Sequence, residues 1–344
     1  MFTLNFGGET KEEKIGNIFV HRIGNDASYL SKILFAPRAV FAARRLHTTT
    51  SFDALWAMMS YMLFPIVLLR LLNMRIPYLL TLQEGDPWQK MFSRWFILPF
   101  RPLLSIGFKN ASAVQSISTY LARWTRRMGY RGDVQVIPNG VDVARFARVK
   151  HRVFDTPRHT MLVTTSRLVH KNAIDDVIRA LALLPDTVHF LIYGIGPDEG
   201  VLKALVKKLG VGHRVAFKGY VDHSELPRVL GECDIFIRPS RSEGMGNSFI
   251  EAMAAELPII ATQEGGITDF LFDAKRNPDK ETTGWAVDVD SPEQIAEAVR
   301  DILANPEQVA RVTTTAKKLV ALNYDWNLIA RKMQTLFDRL LESK

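Results

Sequence analysis

The sequence predicts an α/β fold in two domains, the second built on a parallel, doubly wound sheet. Three observations carry this reading. At 344 residues the chain is long for one core and suits two domains of about 150–200 residues each. From residue 161 onward, short apolar runs alternate with amphipathic ones, the pattern of repeated strand–helix units whose ligands bind at the strands' carboxyl ends. Within that half, the segment Asp234-Ile-Phe-Ile-Arg-Pro-Ser-Arg-Ser-Glu-Gly-Met-Gly-Asn-Ser-Phe-Ile-Glu-Ala-Met-Ala254 reads as a buried strand, a glycine turn and a helix. Such a turn presents backbone N–H groups and a helix N-terminus at the sheet's carboxyl edge, where anions and sugars are held.

In order along the chain, Phe2–Phe6 and Ile18–Ile23 read as strands around a polar turn with Gly7 and Gly8 and a charged stretch. Residues 28–46 are amphipathic, with Lys32, Arg38, Arg44 and Arg45 at helical spacing. The uncharged run Ala54–Leu69 contains Pro65 and ends at Arg70. It falls short of the ~20 residues of a membrane span and is expected to form a buried helix over 54–72. Ile76-Pro77 leads into a buried strand, Tyr78–Leu82, and Val134–Asp142 is a strand ending in a turn. In the second half, strands are expected at 161–165, 188–193, 214–217, 234–238 and 258–261. Helices are expected at 172–184, 198–209, 224–231 and 247–256. Ser291-Pro292-Glu293-Gln294 opens a further helix, with Ser as N-cap, Pro at N1 and Gln at the capping-box position. The last pattern, Trp326–Leu341, is a helix.

Composition narrows the function classes. A chain 47% hydrophobic and 23% charged is globular rather than disordered. Its one cysteine, Cys233, excludes an intramolecular disulfide, implies a reducing cytoplasm and reads as a small core residue. No Cys/His cluster has metal-ligand spacing, and Met1–Thr10 lacks the basic start and long apolar run of a signal peptide. The charge is unevenly divided. Residues 1–150 hold 20 Lys/Arg against 9 Asp/Glu, a balance of +11, and the remainder hold 24 against 27, a balance of −3. The basic half is expected to face something anionic. Its charge lies among aromatics in Phe92–Lys109 and Leu121–Met128, with Arg94, Arg101, Arg123, Arg126 and Arg127 beside Trp95 and Trp124. That is the composition of an interfacial membrane surface. Core aromatics under solvated arginines are an equal alternative. No recognition motif for nucleic acid accompanies the charge.

Glu243 and Glu251 are eight positions apart, close to a whole number of helical turns, so both carboxylates lie on one side of the turn. Two such groups suit a ligand with hydroxyls at both ends of a diphosphate. An isolated glutamate pair is usually solvated. Here the flanking strand, Gly244 and Gly246, and a second strand ending at Gly265-Gly266 argue for a pocket. Arg167 and Lys171, four apart where a strand passes into a helix, can converge on one anion and stabilise a departing diphosphate. Tyr193-Gly-Ile-Gly-Pro197 fails the dinucleotide fingerprint, since Glu199 stands where the third Gly is needed. No Gly-x-Ser-x-Gly elbow or P-loop occurs.

Residues 239–269 resemble the glutamate-x7-glutamate signature of the retaining GT-B glycosyltransferases of family 4, and the likeness extends over roughly 134–285. It implies a GT-B fold, two Rossmann-like domains facing a cleft. It places the linker at 143–158, with domains at 1–148 and 149–325 and a last helix, 326–344, crossing back onto the first domain. It also implies transfer of a sugar from a UDP or GDP sugar to a glycan or lipid-linked acceptor with retention, needing no other cofactor and no metal. Glu243 would hold the transferred sugar, Glu251 the ribose, and Arg167 and Lys171 the diphosphate. Gly244, Gly246, Asn247 and Ser248 would line the donor turn, Gly194 would pack by the nucleotide, and Gly219 and Tyr220 would meet the base. Met245 replaces the usual aromatic, and Asn247-Ser248 the usual aliphatics. Gln83 stands where the family has a histidine, with Glu84 and Asp86 as alternative carboxylates on the acceptor side or, equally, as a solvated loop. Family members normally begin with a further strand, glycine loop and helix. Their absence here leads to an expectation of either dimerisation through the first domain or weak activity with donor binding kept. A peripheral place on the inner face of a membrane completes the picture. The alternatives are a noncatalytic nucleotide-sugar-binding or assembly protein and a nucleotide-sugar epimerase of the same fold.

Overall fold

A computed structural model of the chain describes residues 1–8, 10–26, 28–147 and 159–342, so most of the expected linker, and the domain boundary at 148, lie outside the described residues. In the first half, β1 (Phe2–Leu4), β2 (Glu12–Ile15) and β3 (Ile18–Ile23) form a small sheet in which β3 is central, parallel to β1 and antiparallel to β2. β2 is the charged stretch. Its four residues are all exposed, and cross-strand pairs hold it, Arg22 to Glu13 at 2.7 Å and His21 to Glu12 at 3.2 Å. Helix α1 (Tyr29–Thr49) follows, with the Ser28 side chain accepting from the Ser31 N–H at its start.

The expected helix over 54–72 is divided. Leu55–Met58 is a strand, β4, and only Leu63–Leu71 is α-helical, as α2. Leu55 and Ala57 face inward and Trp56 and Met58 outward, the alternation of a strand, while Pro65 falls in the helix's first turn, where its missing N–H leaves nothing unpaired. β4 joins β5 (Tyr78–Leu82), β6 (Ala113–Ser116) and β7 (Val134–Val136) in a four-stranded parallel sheet in that order. The helices α3 (Trp88–Phe92), α4 (Arg101–Lys109), α5 (Thr119–Arg127) and α6 (Val143–Phe146) complete the half. Every residue of β5 is buried, as a strand covered on both faces requires.

The second half is a six-stranded, fully parallel sheet. Its strands are β8 (Thr160–Thr165), β9 (Val188–Tyr193), β10 (Val215–Gly219), β11 (Ile235–Arg238), β12 (Ile259–Thr262) and β13 (Trp285–Val287). Their spatial order is β10-β9-β8-β11-β12-β13. The order reverses between β8 and β11, and the crevice beyond their carboxyl ends is where such sheets bind ligands. The helices between strands are α7 (Ile174–Leu181), α8 (Glu199–Lys208), α9 (Leu226–Gly231) and α10 (Asn247–Ala254). α7 starts two residues later than expected because His170–Asn172 forms a 3₁₀ turn first. Three helices close the chain, α11 (Pro292–Ala304), α12 (Pro306–Asn323) and α13 (Trp326–Glu342). At α11 the expected capping box does not form. Ser291 makes no side-chain cap bond, and Gln294 turns back to accept from the Asp288 N–H at 2.8 Å.

Ile329, Leu336 and Leu340 of α13 pack against Leu79 and Ile137 of the first half. The crossing is pinned by two backbone bonds, Val141 N–H to Tyr324 O at 2.8 Å and Trp326 N–H to Val141 O at 3.0 Å. One buried apolar cluster runs from Phe92, Phe108 and Trp124 in the first half to Phe249, Phe270 and Tyr324 in the second, and includes Cys233. Trp124 is 1% exposed and belongs to this core, whereas Trp95 is 82% exposed. Among the described residues no helix is long and apolar enough to cross a membrane.

Candidate functional site

A cleft of about 720 Å³ opens at the β8/β11 crevice, lined by both halves of the chain. Gln83, Ile117 and Asn139 come from the first half, and Thr165–Arg167, Gly194, Tyr220, Arg238, Glu243–Ser248 and Glu251 from the second. The turn from β11 into α10 is its floor. Gly246 sits at φ +87°, a conformation that favours glycine, and starts α10 with no side chain capping it. The first N–H groups of α10 are therefore uncapped at the cleft, a setting that favours an anion. Gly244 lies against the first half so closely that a Cβ would come within 2.1 Å of the Glu84 carbonyl oxygen.

Glu243 is held from two sides. Its Oε1 accepts from the Gly244 N–H at 3.0 Å and its Oε2 from Arg238 Nη2 at 2.8 Å. Glu251, on α10 and buried, accepts from or pairs with His223 Nε2 at 3.0 Å. Thr165 Oγ1 and Ser166 Oγ are buried and have no protein partner, although both residues line the cleft. Buried hydroxyls are ordinarily bonded, so these two are available to a ligand. Gly194 donates its N–H to Gly219 O at 2.7 Å, which brings the ends of β9 and β10 together, and the next residue, Tyr220, is exposed.

Several residues stand elsewhere than expected. Arg167 lines the cleft, but Lys171 does not join it. Lys171 lies in the 3₁₀ turn, so helical i,i+4 convergence does not apply, and its Nζ donates to Gly85 O of the first half at 2.9 Å. Ser242 Oγ donates to the same carbonyl at 3.2 Å. Of the three acceptor-side residues, only Gln83 lines the cleft. Glu84 is 1% exposed and turned inward, where its Oε1 accepts from the Ser60 N–H at 2.6 Å. Burial pushes its carboxyl pKa up, against those bonds to Ser60. Asp86 pairs with Lys90 at 3.0 Å. Arg238, His223 and Asn139, the last donating to Asn247 Oδ1 at 3.1 Å across the cleft, were not singled out from the sequence. A charge ending the apolar run Ile235-Phe-Ile was the one visible signal, for Arg238.

Comparison with known proteins decides the family. The model for glycosyl transferases group 1 matches residues 148–319, and that for glycosyltransferase family 4 matches residues 1–145. The chain is a group 1 glycosyltransferase. A GDP-mannose-dependent alpha-(1-6)-phosphatidylinositol monomannoside mannosyltransferase of Mycolicibacterium smegmatis is 30% identical over 273 residues, 73% of this glycosyltransferase and 68% of that protein. A lipopolysaccharide core biosynthesis glycosyltransferase of Rhizobium meliloti is 28% identical over 58% of this chain and 56% of its own. Among solved structures, a sucrose-phosphate synthase from Thermosynechococcus elongatus superposes with TM-score 0.85 at 20% identity, covering 100% of this chain and 89% of that one. Anabaena HepE, solved with UDP-glucose, superposes with TM-score 0.76 at 18% identity, covering 94% and 86%. The fold of the glycosyltransferase is GT-B, and its cleft lies where the two Rossmann-like halves of that fold meet.

Proposed function

We propose that this glycosyltransferase moves a sugar from a UDP or GDP sugar to a lipid-linked or glycan acceptor, with retention of anomeric configuration. The observation that carries the reading is one cleft lined by Glu243, Glu251, the uncapped start of α10, Arg167 and two unpartnered hydroxyls. Glu251 takes the ribose and Glu243 the sugar hydroxyls. Arg167, the Thr165 and Ser166 hydroxyls and the α10 amides take the diphosphate. As the anomeric C–O bond breaks, negative charge builds on the leaving phosphate, and preorganised donors stabilise it there. The acceptor oxygen attacks the same face and its proton passes to the departing phosphate oxygen. Lys171 joins the diphosphate by exchanging the Gly85 carbonyl for a phosphate oxygen, which couples donor binding to the contact between the halves. The acceptor is met at the anionic inner face of a membrane, to which the basic first half is turned.

The test is titration with nucleoside diphosphates and a donor-hydrolysis assay. Glu251→Ala is expected to weaken nucleotide binding roughly 10- to 100-fold. Arg167→Ala and Lys171→Ala are expected to lower kcat more than they raise KM, as loss of a transition-state interaction does. Unchanged constants in all three variants would remove the donor-site assignment.

A further inference from the structure

Arg238 ends β11 after three buried apolar residues and is itself 5% exposed. Its Nη2 donates to Glu243 Oε2 at 2.8 Å and its Nη1 to Ser248 Oγ at 2.9 Å. The guanidinium carbon stands 4.3 Å from the centre of the Phe249 ring, and Nε is buried without a partner. Stability does not account for this placement. A buried cation beside a helix N-terminus faces the positive end of the dipole, and a buried ion pair is commonly no better than well-packed apolar side chains. An aliphatic residue like the neighbouring Ile237 would fill a strand end at lower cost.

The site supplies the missing reason. Without a donor at Oε2, the Glu243 carboxylate is held only through Oε1 and can turn away from the cleft. With Arg238 in place, each Glu243 oxygen accepts one protein donor, from Gly244 and from Arg238, and keeps a lone pair for a hydroxyl of the ligand. We infer that Arg238 is a positioning residue of the donor-sugar subsite, holding Glu243 aimed so that it accepts from two hydroxyls of the transferred sugar. The inference rests on the donor-site reading above. Its consequence is selectivity: a sugar lacking a hydroxyl there leaves an acceptor site of the half-buried carboxylate unfilled, and such omissions are rejected far more strongly than added bulk.

The experiment uses the full chain with UDP, GDP, ADP and dTDP, each alone and as its glucose or mannose conjugate, by titration calorimetry and donor hydrolysis. For Arg238→Met, the Kd of the nucleoside diphosphate is expected to change less than about 3-fold while kcat/KM for the nucleotide sugar falls about 100-fold. Arg238→Lys should restore part of the loss. Adding Glu243→Gln to Arg238→Met should cost almost nothing more, because one interaction has already been removed. Ser248→Ala, which keeps the ion pair, should give a smaller loss of the same kind and serves if Arg238→Met does not fold. Equal losses for nucleoside diphosphate and nucleotide sugar, or full additivity with Glu243→Gln, would each overturn the inference and leave the donor site standing. Wild-type protein that binds none of the probes would overturn the donor site, and this inference with it.

Discussion

Arg241 is the residue that ties the two sides of the donor site together. Its guanidinium reaches both oxygens of Asp175, at 2.9 and 3.1 Å, Asp176 at 2.8 Å, Asp290 at 2.6 Å and the His170 carbonyl at 2.7 Å. Its own N–H donates to Lys171 O at 2.7 Å, so the Lys171 turn and the loop leading to Glu243 move as one. Three carboxylates meet the Arg241 guanidinium, with Arg179 also 4.0 Å from both Asp175 and Asp176, and the surplus negative charge falls on Asp176. Burial first, and then the charge of Asp175, push its carboxyl pKa up to about 6. A carboxyl with a raised pKa binds its proton more tightly in the folded chain than in the unfolded one. Its contribution to stability is full below the ordinary value of 3.8 and is lost as pH rises to about 6. Asp176→Asn keeps an oxygen for Arg241 and removes the surplus charge. The variant should match the wild type in urea unfolding near pH 4 and exceed it at pH 7.5. An equal or lower midpoint at pH 7.5 would mean that the attraction to Arg241 outweighs the repulsion.

At the scale of elements, the crossing of α13 depends on the absence of a side chain at Gly140. A Cβ there would stand 2.7 Å from the Trp326 ring and 2.8 Å from its Cα, and backbone cannot yield as a flexible side chain does. Gly140→Ala is expected to cost ~1–3 kcal/mol by overpacking. Gly200→Ala in the first turn of α8, where a Cβ meets nothing within 4 Å, should be neutral or stabilise by ~0.4–1 kcal/mol. Thermal unfolding of the pair checks this, and a harmless Gly140→Ala would show that the crossing adjusts freely. The same elements show what was legible in the sequence. The strands of the second sheet could be read because parallel strands covered on both faces are unbroken apolar runs, as in Ile259–Thr262. β4 could not, because it merges with α2 into one apolar stretch, and periodicity does not separate a buried strand from a buried helix. β2 carries no apolar face at all. In the site, Glu243, Gly246 and Glu251 lie within nine residues and were visible as a local pattern. His223 meets Glu251 from 28 positions away and Asn139 meets Asn247 from 108, and only the fold brings such pairs together.

For the molecule as a whole, the division of charge acquires a direction once the core is known. Trp124 packs edge-on to Trp88 and Phe92 at 5.5 and 5.6 Å, which leaves the apolar part of any membrane contact to other residues. Those are Trp95, Leu98 and Phe100 between α3 and α4, and Tyr29, Leu30 and Ile33 at the start of α1, all exposed. Phe100 stands edge-on to Phe64, and Phe64 stacks on Tyr61. Exposed Trp and Phe with Arg94 and Lys32 nearby in sequence, on a half carrying +11, match the chemistry of an anionic lipid surface better than that of another protein's neutral core. We therefore predict cosedimentation with vesicles that rises with the fraction of anionic lipid and falls as salt screens it. Trp95→Ser with Phe100→Ser should weaken that binding about 30- to 1,000-fold, since burial of each ring contributes on the order of 1–2 kcal/mol, while donor hydrolysis in solution stays unchanged. If the protein remains in the supernatant with fully anionic vesicles at low salt, the acceptor reaches the cleft from solution, and the exposed apolar residues serve some other contact.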